Sequence, residues 1–217
     1  MTPAARERAQ ARMPLLAIAG AAWMVLAMEA STPSPSAHCA LDAAFGPAVH
    51  GWTLMVAAMM APLLTAPVHH IRNSSLTRRR ALATVEFLAA YLAVWMSVGV
   101  VVWAMPLASI TVPSAIAGVA WQFSPLKQRC LDRLHRHRAL AAFGVAADRD
   151  AVRFGLMHGL WCVASCWPLM IAPMLVTRGQ LAAMAVCLVW MAAERFARWR
   201  ISGPIGLPST SRATAMP

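Results

Sequence analysis

From Arg78 to Pro106 the chain reads RRRALATVEFLAAYLAVWMSVGVVVWAMP. Three arginines are followed by an apolar run, Ala81 to Met105, whose single charge is Glu86. At about 1.5 Å per residue, a helix over that run is roughly 37 Å long, enough to cross a hydrocarbon core about 30 Å thick. No period-2 alternation competes with the helical reading. The same pattern, an apolar run ended by arginines or by a Pro-rich break, recurs along the chain. Met13 to Ala30, Val49 to Val68, Leu107 to Phe123, Phe154 to Val176 and Gln180 to Ala197 are the other runs of spanning length. The expected fold is therefore all-α: a polytopic integral membrane protein, a bundle of about six transmembrane helices. Composition agrees. Of 217 residues, 59% are hydrophobic and 12% charged, where a soluble domain has about 45–50% and about 25%. This excludes a soluble globular domain, and disorder, which needs low hydrophobicity and high charge.

The net charge of +11 becomes legible once the spans are placed. Basic residues cluster in the N-terminal tail (Arg6, Arg8, Arg12), at Arg72 and Arg78–Arg80, in the segment from Lys127 to Arg153, and after Arg195. Alternate loops thus hold 18 of the 19 basic residues, and Arg178 stands alone on the other side. Positive charge marks the cytoplasmic side, so both termini are expected inside. Nucleic-acid binding has no support, because the cations are spread over four inner segments rather than gathered into a patch. The partner this composition implies is the lipid bilayer, in a bacterial plasma membrane, within a membrane complex or a homo-oligomer. An Arg-rich start followed by an apolar run also resembles a secretory signal. No small-residue cleavage site follows, and a retained first span is expected.

The organisation expected is a basic cytoplasmic tail over 1–12, a transmembrane domain over 13–200 and a disordered tail over 201–217. The outer loop from Ser31 to Ala48 is Pro- and Ser-rich and carries His38 and Cys39; the turn at Met105-Pro106 is tight. Within the cytoplasmic segment 124–153, Ser124-Pro125 is a helix start, cap then proline. Leu126, Cys130, Leu131 and Leu134 then line one stripe, a pattern suited to a short helix lying on the inner membrane surface. His135 and His137 sit in this basic run, where neighbouring cations oppose metal binding.

The chemistry concentrates in the fifth run. His158, Cys162, Cys166 and Met170 recur every fourth residue, a ladder on one helix stripe that turns only about 40° per step. Cysteine and methionine at such spacing also occur as plain packing, but an ionisable His inside a span points to function. Pro168 removes the backbone bond to Ala164, and Gly159 is expected to loosen the helix. The second run carries Met55, Met59 and Met60 before Pro62; Met59 and Met60 fall at the depth of the two cysteines if the helices touch. Thiolate and thioether donors favour Cu(I), and the spans lack four cysteines for an iron–sulfur cluster. The candidate ligands are therefore Cys162, Cys166, His158, Met59, Met60 and Met170, with copper the expected metal. Glu86 and Glu194 lie near the cytoplasmic end, at about the level of His158, as outer support; pairing of Glu194 with Arg195 is the plain alternative. His50 and Trp52 open the second run, Trp52 as an interfacial anchor, and His69-His70 ends it. His50 and His158 sit too far apart to ligate one haem iron.

Several of these residues form an ordered set: Trp52, Met55 and Ala58-Met59-Met60-Ala61-Pro62; Phe87, Tyr91 and Trp95; Gln122 with Ser124-Pro125-Leu126-Lys127 and Cys130-Leu131; His158-Gly159, Cys162, Cys166-Trp167 and Leu169-Met170; and Glu194-Arg195. Over about Gly51 to Arg195 the chain resembles a bacterial family of unknown function, the predicted metal-binding integral membrane proteins. The family carries two adjacent cysteines before the tryptophan, where this chain has Ser165-Cys166, preceded by Ala164, and Gln180 stands where it carries Met. The resemblance implies metal binding within a membrane domain and supplies no reaction. No catalytic residues are assigned. The function expected is copper handling by binding, delivery or transfer. The alternatives are a membrane thiol oxidoreductase through Cys162 and Cys166, and a non-catalytic assembly subunit of a larger membrane complex.

Overall fold

A computed structural model of the chain describes residues 3–31, 45–104, 107–135, 140–141, 143–176 and 178–201. All regular structure among them is helical: α1 (Pro3–Ser31), α2 (Phe45–Met60), α3 (Thr65–Ser74), α4 (Arg80–Ala104), α5 (Leu107–Gln122), α6 (Pro125–Leu134), α7 (Gly144–Ile171) and α8 (Gln180–Ile201). Short 3-10 turns, Ala61–Leu64 and Ala172–Leu175, extend α2 into α3 and prolong α7. Four helical segments are long and apolar enough to cross a bilayer: Ala9–Ser31, Gly46–Ser74, Arg80–Ala104 and Gly144–Leu175. The expectations for His38, Cys39, the Met105-Pro106 turn, His137 and the tail beyond Ile201 concern positions outside the described residues.

α7 is the hub. α4, α5, α6 and α8 all pack against it, while α1 packs on α2 and α3, and α3 on α4. The closest approach is between α4 and α7, and its cause is a small-residue face, Gly155 and Gly159, four positions apart. A methyl group at Gly155 would lie 2.5 Å from the Phe87 carbonyl oxygen and 2.9 Å from Ala90 Cβ; at Gly159 it would lie 3.0 Å from Val94 Cβ. This small-xxx-small spacing lets two helix backbones meet. Gly159 thus serves as a packing surface within a continuous helix, rather than loosening it as the sequence suggested, because its missing side chain is what α4 occupies.

Two prolines inside the bundle leave backbone carbonyls without their helical donors, and each is served by an indole. Pro62 cannot bond the Ala58 carbonyl, which accepts from Trp23 Nε1 of α1 at 3.2 Å. Pro168 cannot bond the Ala164 carbonyl, which accepts from Trp121 Nε1 of α5 at 2.9 Å. Gly118 of α5 allows this second approach, since a Cβ there would stand 3.1 Å from Pro168 Cβ. Trp52, expected at the interface, is buried: its indole nitrogen donates to the Trp95 carbonyl at 2.9 Å. Gly99 leaves the space, since a Cβ would meet that nitrogen at 2.6 Å.

The helix expected after Ser124 is present. Ser124 caps it by accepting from the Leu126 amide at 3.1 Å, and Pro125 is its first residue. Its buried face differs from expectation. Leu126 is exposed, whereas Lys127 is buried together with Cys130, Leu131 and Leu134. α6 packs on α7, and Lys127 Nζ reaches Gln122 and the Glu194 carboxylate of α8. A protein-side counter-charge therefore rotates the stripe, and the helix lies against the bundle rather than only against lipid headgroups. Arg133 adds a cation–π contact, 4.6 Å from the Trp161 ring.

Candidate metal centre

Three sulfurs converge in the core. Cys162 Sγ lies 3.8 Å from Cys166 Sγ and 3.8 Å from Met60 Sδ. The i, i+4 spacing on α7 stacks the two cysteines on one face. Met60 arrives from the end of α2, where Pro62 opens the 3-10 turn. All three are buried. With metal–thiolate bonds of about 2.3 Å, two sulfurs on one ion stand no more than about 4.6 Å apart, and both separations meet that limit. Among the described residues, no three His, Cys, Asp or Glu side chains gather as a metal group. The donor set is thus two thiols and a thioether, suited to Cu(I) rather than to the four-ligand sites of zinc.

Two polar groups turn toward the same sulfur. Tyr91 of α4, the only tyrosine of the chain, places its hydroxyl 3.2 Å from Cys162 Sγ. Arg195 of α8 is also buried and donates from Nη2 to Cys162 Sγ at 3.0 Å. Cys166 Sγ donates to the Cys162 carbonyl at 2.8 Å, and Ser165 Oγ donates to the same oxygen at 2.9 Å. Cys162 is therefore the node of the site, joined to α2 by Met60, to α4 by Tyr91 and to α8 by Arg195.

The remaining candidates are placed as follows. His158 is buried one turn before Cys162, its ring 5.8 Å from Phe87, 6.0 Å from Tyr91 and 5.7 Å from Phe154. Met59 and Met170 are fully buried in the same core. Glu194 accepts from Lys127 and, at 2.9 Å, from Trp190 Nε1, so its partners are these rather than Arg195. Glu86 faces Asp148 and Arg79. At the other end of the chain's polar features, His50 pairs with Glu29 at 2.9 Å, both exposed, and His70 stacks edge-on to Phe154.

Tyr91 and Arg195 were not among the residues that sequence reading put at the metal. The signal for Tyr91 was a phenol in the middle of an apolar span, a polar group that needs a partner there. The signal for Arg195 was its neighbour. Adjacent helical residues point about 100° apart, so Glu194 and Arg195 cannot both face one helix.

Residues 49–208, well over half the chain, match the family described as PpoB2, copper chaperone. No curated protein and no solved structure matches the chain.

Proposed function

The chain belongs to the PpoB2 copper-chaperone family, and from that premise we propose that it is a membrane protein whose cargo, Cu(I), is held by Cys162, Cys166 and Met60. The observation that supports this most is the convergence on Cys162 Sγ of a second thiol and a thioether, each at 3.8 Å. Soft sulfur donors in an apolar surround favour the reduced ion. Loading breaks two S–H bonds, releases two protons and forms two copper–thiolate bonds, with no change in oxidation state. Tyr91 and Arg195 orient the central thiolate and supply hydrogen bonds to it; His158 packs beneath Tyr91 and holds its ring.

The reading includes six spans, with α5 and α8 crossing beside the four longer helices, and both termini at the cytoplasmic face of a bacterial plasma membrane. The charge distribution supports it: of the 19 basic residues only Arg178 falls in a segment that this reading puts outside, in accord with the preference of cations for the cytoplasmic side. α5 has 16 residues, about 24 Å at 1.5 Å per residue. It crosses most economically where the bilayer thins or where Gln122 and Ser124 extend its polar end.

Competition with a chromophoric Cu(I) chelator tests the site on detergent-purified protein. Wild type should withhold one Cu(I) per chain, and Cys162→Ser and Cys166→Ser should each surrender it. Equal copper retention by all three proteins would exclude the site. Labelling of single cysteines introduced near residues 75 and 178 tests the topology: the first should react only from the cytoplasmic side and the second only from outside.

A further inference from the structure

We infer that Arg195 selects the charge of the cargo, so that the site takes a soft monovalent cation in preference to divalent ones. The inference rests on the proposed copper site and concerns its specificity. Arg195 is 9% exposed, and among the described residues it has no carboxylate partner. Its strongest electrostatic interactions are with Cys162, Cys166 and Tyr91, and among the described residues its side-chain hydrogen bond is to Cys162 Sγ at 3.0 Å. The next cation, Lys127, is within electrostatic range of Cys166 but is matched by Glu194. The Lys127–Glu194 pair is neutral overall, so Arg195 is the unmatched charge at the sulfurs.

The charges then decide between ions. Two thiols that lose their protons to a monovalent ion form a dithiolate complex of charge −1. Arg195 brings the buried cluster to zero, and the thioether of Met60 adds none. A divalent ion on the same two thiolates gives a neutral complex, so the cluster stays at the +1 it carries while both thiols are protonated, and only the monovalent ion relieves the uncompensated charge. An uncompensated charge in a low-dielectric interior is strongly disfavoured. Donor softness alone would admit any thiophilic ion. The guanidinium adds a second filter that reads charge. Arginine suits the task because it stays protonated even when buried.

Silver(I) and cadmium(II) separate the two filters, since both are thiophilic and they differ in charge. Binding is followed on detergent-purified full-length protein by metal–thiolate absorbance and by competition with chelators. Wild type should bind Ag(I) and Cu(I) far more tightly than Cd(II). Arg195→Gln should lose on the order of tenfold or more in Ag(I) affinity, the effect of removing one charge-assisted contact, and with it the preference for Ag(I) over Cd(II). Arg195→Lys, which keeps the charge, should restore the preference for Ag(I). The inference is overturned if wild type takes up Cd(II) on Cys162 and Cys166 as readily as Ag(I), a result that needs no variant to fold. It is also overturned if Arg195→Gln retains wild-type affinity and selectivity. If that variant is unchanged while Cys162→Ser loses Ag(I), the sulfur site stands and only the charge filter falls. If Cys162→Ser binds as wild type does, the sulfur site itself is wrong.

Discussion

Replacing Gly155 by alanine tests how the site is assembled, because it perturbs no sulfur and no charge. The added methyl would lie 2.5 Å from the Phe87 carbonyl oxygen and 2.9 Å from Ala90 Cβ. Neither obstacle can rotate away: one is backbone and the other is a Cβ fixed to it. Ordinary contact at 3.4 Å then requires α4 to withdraw from α7 by about 1 Å. Overpacking of this kind costs about 1–3 kcal/mol, and rigid obstacles put it in the upper half of that range. For a chain of this length each kcal/mol is worth roughly 2–4 °C in melting temperature, so a fall of about 4–12 °C is expected in detergent. Tyr91 sits one turn beyond Phe87 on α4, and its hydroxyl would retreat from Cys162 Sγ beyond the present 3.2 Å. Cu(I) affinity should therefore fall as well. Gly20→Ala is the control. Nothing lies within 4 Å of a Cβ there, and alanine is the better helix former by about 1 kcal/mol, so melting should stay level or rise. A Gly155→Ala protein that melts with wild type and holds copper equally would refute the idea that the glycine face of α7 sets the distance of α4 from the thiols.

Three further outcomes follow from the same packing. Met60→Leu should weaken Cu(I) binding at nearly unchanged stability, since the swap is close to volume-conserving and costs less than about 1.5 kcal/mol; Met59→Leu should bind as wild type, and chelator competition on both reads the difference. Lys127→Met strands the Glu194 carboxylate and should destabilise by roughly 1–3 kcal/mol, discounted from a fully buried pair because Glu194 is partly exposed; adding Glu194→Gln should recover part of the loss, as seen by thermal unfolding. Ser124→Ala removes the cap of α6 and should cost about 1 kcal/mol, visible as faster amide exchange over the first turn of that helix.

Helical character and the places where helices stop were open to reading because they are local. Apolar runs, Ser124-Pro125 and the prolines act on their own chain neighbourhood, and α4 and α6 fall where these signals put them, while α1 begins at Pro3, ten residues before the first apolar run. The Cys162–Cys166 stripe was legible for the same reason, since fourfold spacing fixes a face. What could not be read was which face meets which helix. Leu126 and Lys127 exchange places relative to the expected stripe because a carboxylate from α8 lies beneath the lysine, and sequence separation hides that partner. Glu194 and Arg195 read as neighbours able to pair, yet they diverge to α6 and α7. Gly159 illustrates a different gap. An isolated glycine in a helix has two opposite meanings, a weak point or a docking surface, and only the position of Val94 decides between them. Tyr91 reached the centre through the same docking, since the glycine face is what carries its hydroxyl to the sulfur.

The indole-to-carbonyl bonds opposite Pro62 and Pro168 have a genetic consequence. Each indole N–H finds its acceptor open because of a proline. If Pro168 becomes alanine, a backbone amide returns to the Ala164 carbonyl and the Trp121 donor is spare; if Trp121 is lost while Pro168 remains, a buried acceptor is stranded. The part of the harm that comes from the stranded carbonyl when Trp121 or Trp23 is lost should therefore be suppressed by a second change at Pro168 or Pro62 respectively, while the lost ring packing remains. Two residues that never touch by sequence, on helices drawn from distant parts of the chain, are thereby bound into pairs that tolerate substitution together better than apart.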